Sequence, residues 1–189
     1  MTTPVDPLIL EPYSLYILLF GRGESYRFHW GLFLTAGYQT TATETTETTE
    51  TTPTIESPQE ANEGQPPATN PTGTLFELTN PNPSNVELWT YKATLLTTFT
   101  HRHNPLCALK ISNIEPLLQL DFHALLPTIP IVPYSQRFGE EISCRVWLKE
   151  AMYELDQSGF IQLVRPVEDI EMEAQHLGCG PHASSEEVI

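Results

Sequence analysis

The residue types that could do chemistry in this chain are a thiol and an imidazole, far apart in the sequence. Cys144 begins a segment with helical spacing, and His29 lies inside an apolar, strand-like run. A helix N-terminus offers free N–H groups and positive potential, which favour the thiolate, the nucleophilic form of cysteine. An imidazole held on a strand can exchange a proton with that thiolate. Cys144 and His29 are therefore candidates for the nucleophile and the general base of a cysteine enzyme.

Both residues also have an ordinary structural interpretation. A free cysteine is often a small buried hydrophobe, and a single histidine in a strand usually has a structural role. Strand alternation puts His29 on the face opposite Phe28 and Trp30, together with Gly31. Approach of Cys144 and His29 to hydrogen-bonding distance would separate the catalytic hypothesis from the structural one.

The elements that must position these residues can be predicted from hydrophobic patterning. The helix that carries Cys144 has Ser143 or Glu141 as its cap and Gly159 just beyond its end. Glu150 is expected on its exposed side. Strands are predicted at 14–20, 26–35, 74–79, 88–98 and 160–164, and helices at 113–126 and 143–157. Residues 106–111 are either a further strand or the segment that leads into a helix. The pattern indicates a small α+β domain with an antiparallel sheet and two principal helices.

Two segments lie outside this pattern. Residues 39–72 are rich in Thr, Glu and Pro, with one isoleucine and no aromatic residue, so they are expected to form a disordered insert. Residues 168–189 are acidic and polar and are expected to form a disordered tail. The predicted organisation is a single domain over 13–164, interrupted by the insert and followed by the tail.

Composition excludes several classes of function. The net charge of −15, with no cluster of Lys and Arg, argues against nucleic-acid binding. The apolar run at 15–20 is too short to span a membrane or to form the core of a signal peptide. Three cysteines do not make a disulfide framework, which favours a reducing, cytoplasmic setting. The paired imidazoles His101 and His103 do not make a metal site, and no metal or other cofactor is expected.

The motif Phe28-His-Trp-Gly-Leu-Phe-Leu34 resembles the His-Trp strand of circularly permuted papain-like enzymes, the NlpC-like and lecithin:retinol acyltransferase-like proteins. In that family a histidine on an early strand precedes a cysteine at a later helix N-terminus. The layout is also similar to a fungal family of uncharacterised proteins with a Cys-Arg-x-Trp helix, here Cys144-Arg-Val-Trp147. The similarity covers roughly residues 13–164 without the insert. It implies a permuted papain-like fold in which Cys144 is the nucleophile and His29 the base.

A third polar residue orients the histidine in these enzymes, often from the next strand. The strand at 74–79 offers only Glu77 for this role. Its carboxylate could accept the second imidazole N–H and favour the imidazolium, and a solvent-facing glutamate is the ordinary alternative.

These features lead to two hypotheses. The first is a cysteine-dependent hydrolase or acyltransferase that acts on an acyl or peptidyl carbonyl of a small-molecule or peptide substrate. The second is a non-catalytic binding or accessory protein of the same fold, in a fungal biosynthetic pathway. Substrate, oligomeric state and the role of the insert are not readable from the sequence.

Overall fold

The computed structural model describes residues 10–22, 27–37, 72–82, 85–97 and 105–179. A five-stranded antiparallel sheet in the order β4-β3-β2-β1-β5 forms its centre. The strands are β1 (Ser14–Gly21), β2 (Phe28–Thr35), β3 (Gly73–Thr79), β4 (Thr90–Leu96) and β5 (Cys107–Asn113), and the short strands β6 (Tyr134–Ser135) and β7 (Glu140–Glu141) pair separately. The helices are α1 (Gln119–Leu125), α2 (Cys144–Gln157) and α3 (Val167–Cys179), with 3-10 turns at Val86–Leu88, Pro116–Leu118 and Leu126–Thr128. The predicted α+β class is confirmed.

The two faces of the sheet carry different apolar clusters. Leu19, Trp30 and Phe76 face the helices and pack with Trp147 of α2 in the main core. Successive strand residues point to opposite faces, so the neighbours of these residues form a second cluster on the other face. Its members are Tyr16, Leu18, Phe20, Phe33, Leu75 and Leu96. The predicted separation of Trp30 and His29 is confirmed, since His29 lies against Phe20 with ring centroids 6.1 Å apart.

Helix α2 follows its predicted boundaries closely. Ser143 is the N-cap, its hydroxyl accepts a hydrogen bond from the Val146 N–H at 3.1 Å, and Gly159 follows the helix with a φ of 76°. Glu150 differs from the expected exposed position. It is half-buried and accepts hydrogen bonds from the Ser135 hydroxyl, at 2.5 Å, and from Arg137. A polar residue on the flank of α2 is therefore anchored to the β6–β7 hairpin.

Other boundaries were wrong for identifiable reasons. The helix predicted at 113–126 begins later, because β5 continues to Asn113, whose side chain accepts a hydrogen bond from the Ser14 hydroxyl at 2.9 Å. Pro116 starts a 3-10 turn before α1, and residues 160–164 form no strand. The first correction comes from a contact with a distant part of the chain, whereas residues 160–163 bond back to Leu155 and Asp156 at the end of α2.

The prediction of a disordered tail over 168–189 is wrong for the first half of this segment. Residues 167–179 form α3, which buries Val167, Ile170 and Ala174. These three apolar residues recur at helical spacing, which is typical of an amphipathic helix. The prediction missed this spacing because it relied on the acidic composition of the segment. The insert predicted at 39–72 lies, apart from Thr72, outside the described residues, as does the chain after residue 179.

Helix α3 is tied to α2 by a network of ion pairs. Lys149, whose side chain is only 3% exposed, contacts Glu140 and Glu171, and Arg145 contacts the same two carboxylates. The four residues come from α2, α3 and β7, and the two buried charges on Lys149 and Glu171 are compensated within the network. The network holds α3 beside the N-terminal turn of α2, where Cys144 lies.

Candidate active site

The first turn of α2 places Cys144 in a favourable position for a thiolate. Ser143 caps this end: its hydroxyl accepts from the Val146 N–H, one of the free groups, and its carbonyl accepts the first regular helix bond, from the Trp147 N–H at 2.9 Å. Helix geometry gives the N–H groups of Cys144 and Arg145 no acceptor within α2, so their positive ends point out of the helix N-terminus. Cys144 is buried, with 5% of its surface exposed.

The imidazole and its acidic partner come from neighbouring strands. Glu77 of β3 lies opposite Gly31 of β2 in the sheet register, so its side chain shares a face with His29. The Nε2 atom of His29 is 2.5 Å from the Oε2 atom of Glu77, and each side chain is 16% exposed. The carboxylate therefore fixes the orientation of the ring and leaves Nδ1 as the nitrogen that is not bonded to Glu77.

The thiol and the imidazole meet, although α2 packs on the face of the sheet opposite to His29. The pairing of β2 with β3 ends at Gly31 and Glu77, so the strand edge beyond this pair is open. Cys144 hydrogen bonds there with the Trp30 N–H and with the His29 side chain. Cys144 packs in the main core on the helix side, so its interaction with the His29 ring takes place at this unpaired end of the two strands.

The pKa values of the two groups are shifted in opposite directions. Burial alone would raise the pKa of Cys144, but the hydrogen bond and charge of His29, the Trp30 N–H and the charge of Arg22 together lower it below its ordinary value. Burial alone would lower the pKa of His29, but its hydrogen bonds and charge interactions with Cys144 and Glu77 raise it to about 9. These directions favour a thiolate–imidazolium pair at neutral pH, in which both groups titrate together.

Arg22 is a further charged group at this site. Its Nη2 atom is 3.0 Å from Nδ1 of His29, which is a hydrogen bond only if Nδ1 is unprotonated. The contact thus favours a neutral ring, whereas Cys144 and Glu77 favour the imidazolium. The charged form prevails, because Glu77 is partly buried and in direct contact with the ring, whereas the charge of Arg22 is exposed and screened by solvent. Residue Arg22 did not stand out in the sequence, yet its place just after the first strand of the hairpin puts it beside His29.

The structure therefore brings together all three candidate residues, Cys144, His29 and Glu77. Cys107 does not belong to the site: it lies on β5, and burial raises its pKa to about 11. His101 and His103 are outside the described residues. Within the described ranges no group of three or more His, Cys, Asp or Glu side chains is arranged to hold a metal ion, and no helix there is long and apolar enough to cross a membrane.

Replacing Glu77 by glutamine tests its influence on the ring. Glu77→Gln keeps the size and a hydrogen-bonding oxygen but removes the charge, so the pKa of His29 should fall and the pKa of Cys144 should rise. We expect alkylation of Cys144 by iodoacetamide at pH 7 to slow by about threefold, because the thiolate fraction falls. The measurement is the pH–rate profile, with the exposed Glu115→Gln as control. An unchanged profile in Glu77→Gln would assign Glu77 a purely structural role.

The chain matches no protein-family model, and no curated protein or solved structure is significantly similar to it. The function of the site is therefore inferred from its own geometry.

Proposed function

We propose that this protein is a cysteine-dependent hydrolase or acyltransferase that acts on an acyl or peptidyl carbonyl. The observation that carries the proposal is the hydrogen-bonded series Cys144–His29–Glu77, in which the thiol pKa is lowered and the imidazole pKa is raised. A buried cysteine with a purely structural role has the opposite shift, as Cys107 does. The order of a strand histidine before a helix cysteine agrees with the proposed relation to permuted papain-like enzymes.

The first half of the reaction forms a thioester. The Cys144 thiolate attacks the carbonyl carbon, and the carbonyl oxygen becomes an oxyanion. The N–H groups of Cys144 and Arg145 at the start of α2 are the nearest candidates to stabilise it. Collapse of this intermediate breaks the bond to the leaving nitrogen or oxygen, and His29 transfers its proton from Nδ1 to that atom. The products are an acyl-thioester on Cys144 and a neutral imidazole.

The second half returns the enzyme to its starting state. Neutral His29 takes a proton from water or from an acceptor alcohol or amine as that nucleophile attacks the thioester carbon. The carbon–sulfur bond then breaks, which releases the acid or the transferred acyl product and restores the thiolate–imidazolium pair. Glu77 holds the ring orientation in both halves and stabilises the imidazolium. A thiolate nucleophile must stay reduced, and the described cysteines are all free, which supports the proposed cytoplasmic setting.

The burial of Cys144 favours the second candidate function, a non-catalytic binding or accessory protein of the same fold. Only 5% of the residue is exposed, so a substrate carbonyl has little access to the sulfur. A protein that used this site only for structural hydrogen bonds would hold the same residues but would form no thioester.

Acyl-enzyme formation distinguishes the two functions. With p-nitrophenyl acetate we expect a burst of p-nitrophenolate equal to one site per chain, together with an acetyl group on the peptide that contains Cys144. Cys144→Ala should abolish both signals. Cys107→Ala is the matched control, because it removes another buried thiol and should retain the burst. A folded wild-type protein that acetylates only Cys107 or Cys179, or no cysteine, would contradict the catalytic proposal and favour the binding function.

A further inference from the structure

Arg22 differs from most of the other basic residues that the structure describes. The sequence has 24 Asp and Glu residues and only nine Lys and Arg residues, so an acidic partner is available to almost every cation. Glutamates pair with five cations in the described ranges, namely Lys110, Arg137, Arg145, Lys149 and Arg165. Arg22 has no carboxylate partner among the described residues, and its guanidinium instead lies 3.0 Å from the His29 ring. Among the described residues, Arg22 therefore contacts the candidate base and pairs with no carboxylate.

The contact with His29 is unfavourable in the active protonation state. When His29 is an imidazolium, its Nδ1 carries a proton and cannot accept a hydrogen bond from the guanidinium. Arg22 and the imidazolium are then two adjacent cations, and both interact with the Cys144 thiolate. An anionic group placed next to both cations would relieve this repulsion and would accept hydrogen bonds from the guanidinium.

A second exposed cation lies on the same face. Lys92 of β4 is directly opposite Glu77 in the sheet register, so its side chain emerges on the face that carries His29. Within the described ranges, Lys92 is not among the cations that form an ion pair. In the strand order β4-β3-β2-β1-β5, Lys92 lies on the strand next to β3, and Arg22 follows the strand next to β2.

We propose that the substrate of Cys144 carries a carboxylate close to the carbonyl that is attacked, and that Arg22 binds this carboxylate. The inference rests on the proposed function, since it assigns the substrate class of the same site. A guanidinium presents parallel N–H donors that match the two oxygens of a carboxylate, which makes arginine well suited to this recognition. Because Arg22 is exposed, the carboxylate keeps some solvent contact and its binding weakens with salt.

Two electrophiles of nearly the same shape test this directly. Iodoacetamide is neutral and iodoacetate carries a carboxylate; with either, the thiolate forms a carbon–sulfur bond as the carbon–iodine bond breaks and iodide leaves. For each reagent we would measure the alkylation rate of Cys144 by mass spectrometry on the full chain at low ionic strength. The ratio of the iodoacetate rate to the iodoacetamide rate cancels changes in thiolate fraction. We expect Arg22→Gln to lower this ratio by about fivefold, within the range for a partly solvated hydrogen bond to a charged group, and Arg22→Lys to retain most of it.

Lys110→Gln is the matched control, because Lys110 lies on the same face opposite Tyr16, towards the far end of β1, and forms only an exposed pair with Glu11. It removes the same charge and should leave the ratio unchanged. If added salt lowers the ratio of the iodoacetate rate to the iodoacetamide rate in the wild-type protein, this result supports electrostatic recognition of the carboxylate. Equal ratios in wild type and Arg22→Gln would overturn the carboxylate assignment while Cys144 remained a reactive nucleophile. Failure of both reagents to modify Cys144 in the folded protein would overturn the nucleophile itself, and the inference with it.

Discussion

Cys144 will be alkylated by iodoacetamide at least about tenfold faster than Cys107 at neutral pH. The pKa of Cys107 is raised to about 11, and that of Cys144 is lowered from its ordinary value of 9.0. A difference of two units or more changes the thiolate fraction by at least about 100-fold, and the lower intrinsic nucleophilicity of the less basic thiolate offsets about half of this on a logarithmic scale. Site-resolved mass spectrometry is required, because Cys179 is less buried than the other two cysteines and also reacts.

His29→Ala should then slow the alkylation of Cys144. The imidazolium is the main group that offsets burial at the thiol, so its removal raises the thiol pKa and lowers the thiolate fraction at pH 7. In wild type the rate should be high at pH 7 and fall as pH drops through the lowered thiol pKa. In His29→Ala this acidic limb should move to higher pH. Acyl transfer should also decline in wild type as pH rises through about 9, where His29 loses the proton that the leaving group needs.

Two results would contradict this prediction. Cys144 that stays unmodified in the folded wild-type protein would show that the site does not admit even a small electrophile. An unchanged rate in His29→Ala, with native circular dichroism, would show that His29 does not control the thiol. Either result would favour the structural interpretation of the cysteine.

Trp147→Ala should destabilise the domain by about 3–5 kcal/mol, the range for removal of a large buried aromatic side chain. Trp147 is fully buried between α2 and the sheet, and its ring centroid is 5.6 Å from that of Tyr91. Its indole N–H has no hydrogen-bond partner in the described part of the protein, so the loss comes from packing and cavity formation. Chemical denaturation with linear extrapolation measures the change.

The control for this variant is Gln157→Ala, in the last turn of the same helix. Gln157 is exposed, and its substitution should change the free energy of unfolding by less than about 0.5 kcal/mol. Glu150 is unsuitable as a control because it bonds to Ser135 and Arg137. Equal denaturation midpoints for Trp147→Ala and Gln157→Ala would mean that the wrong face of α2 has been identified as the buried one.

Much of the local structure could be predicted because it depends on neighbouring residues. Strands β1 and β2 were predicted from their apolar residues, which are mostly buried. Ser143 caps the start of α2 and Gly159 follows its end, as predicted. The assignment of Trp30 and His29 to opposite faces followed from the two-residue period of a strand. The helix α3 could have been found in the same way from Val167, Ile170 and Ala174, but the acidic composition of the segment concealed this spacing.

The sequence by itself thus determined an α+β domain and the residue types of the candidate site: a thiol at a helix start, an imidazole on a strand and a carboxylate on the next strand. Only the tertiary structure decided that they meet, because the end of β2–β3 pairing at Gly31 and Glu77 opens the edge through which Cys144 reaches His29. The contact between Arg22 and the His29 ring also depends on the tertiary structure. Strand registers and helix docking bring together residues more than 100 positions apart, and local patterns carry no information about such distances.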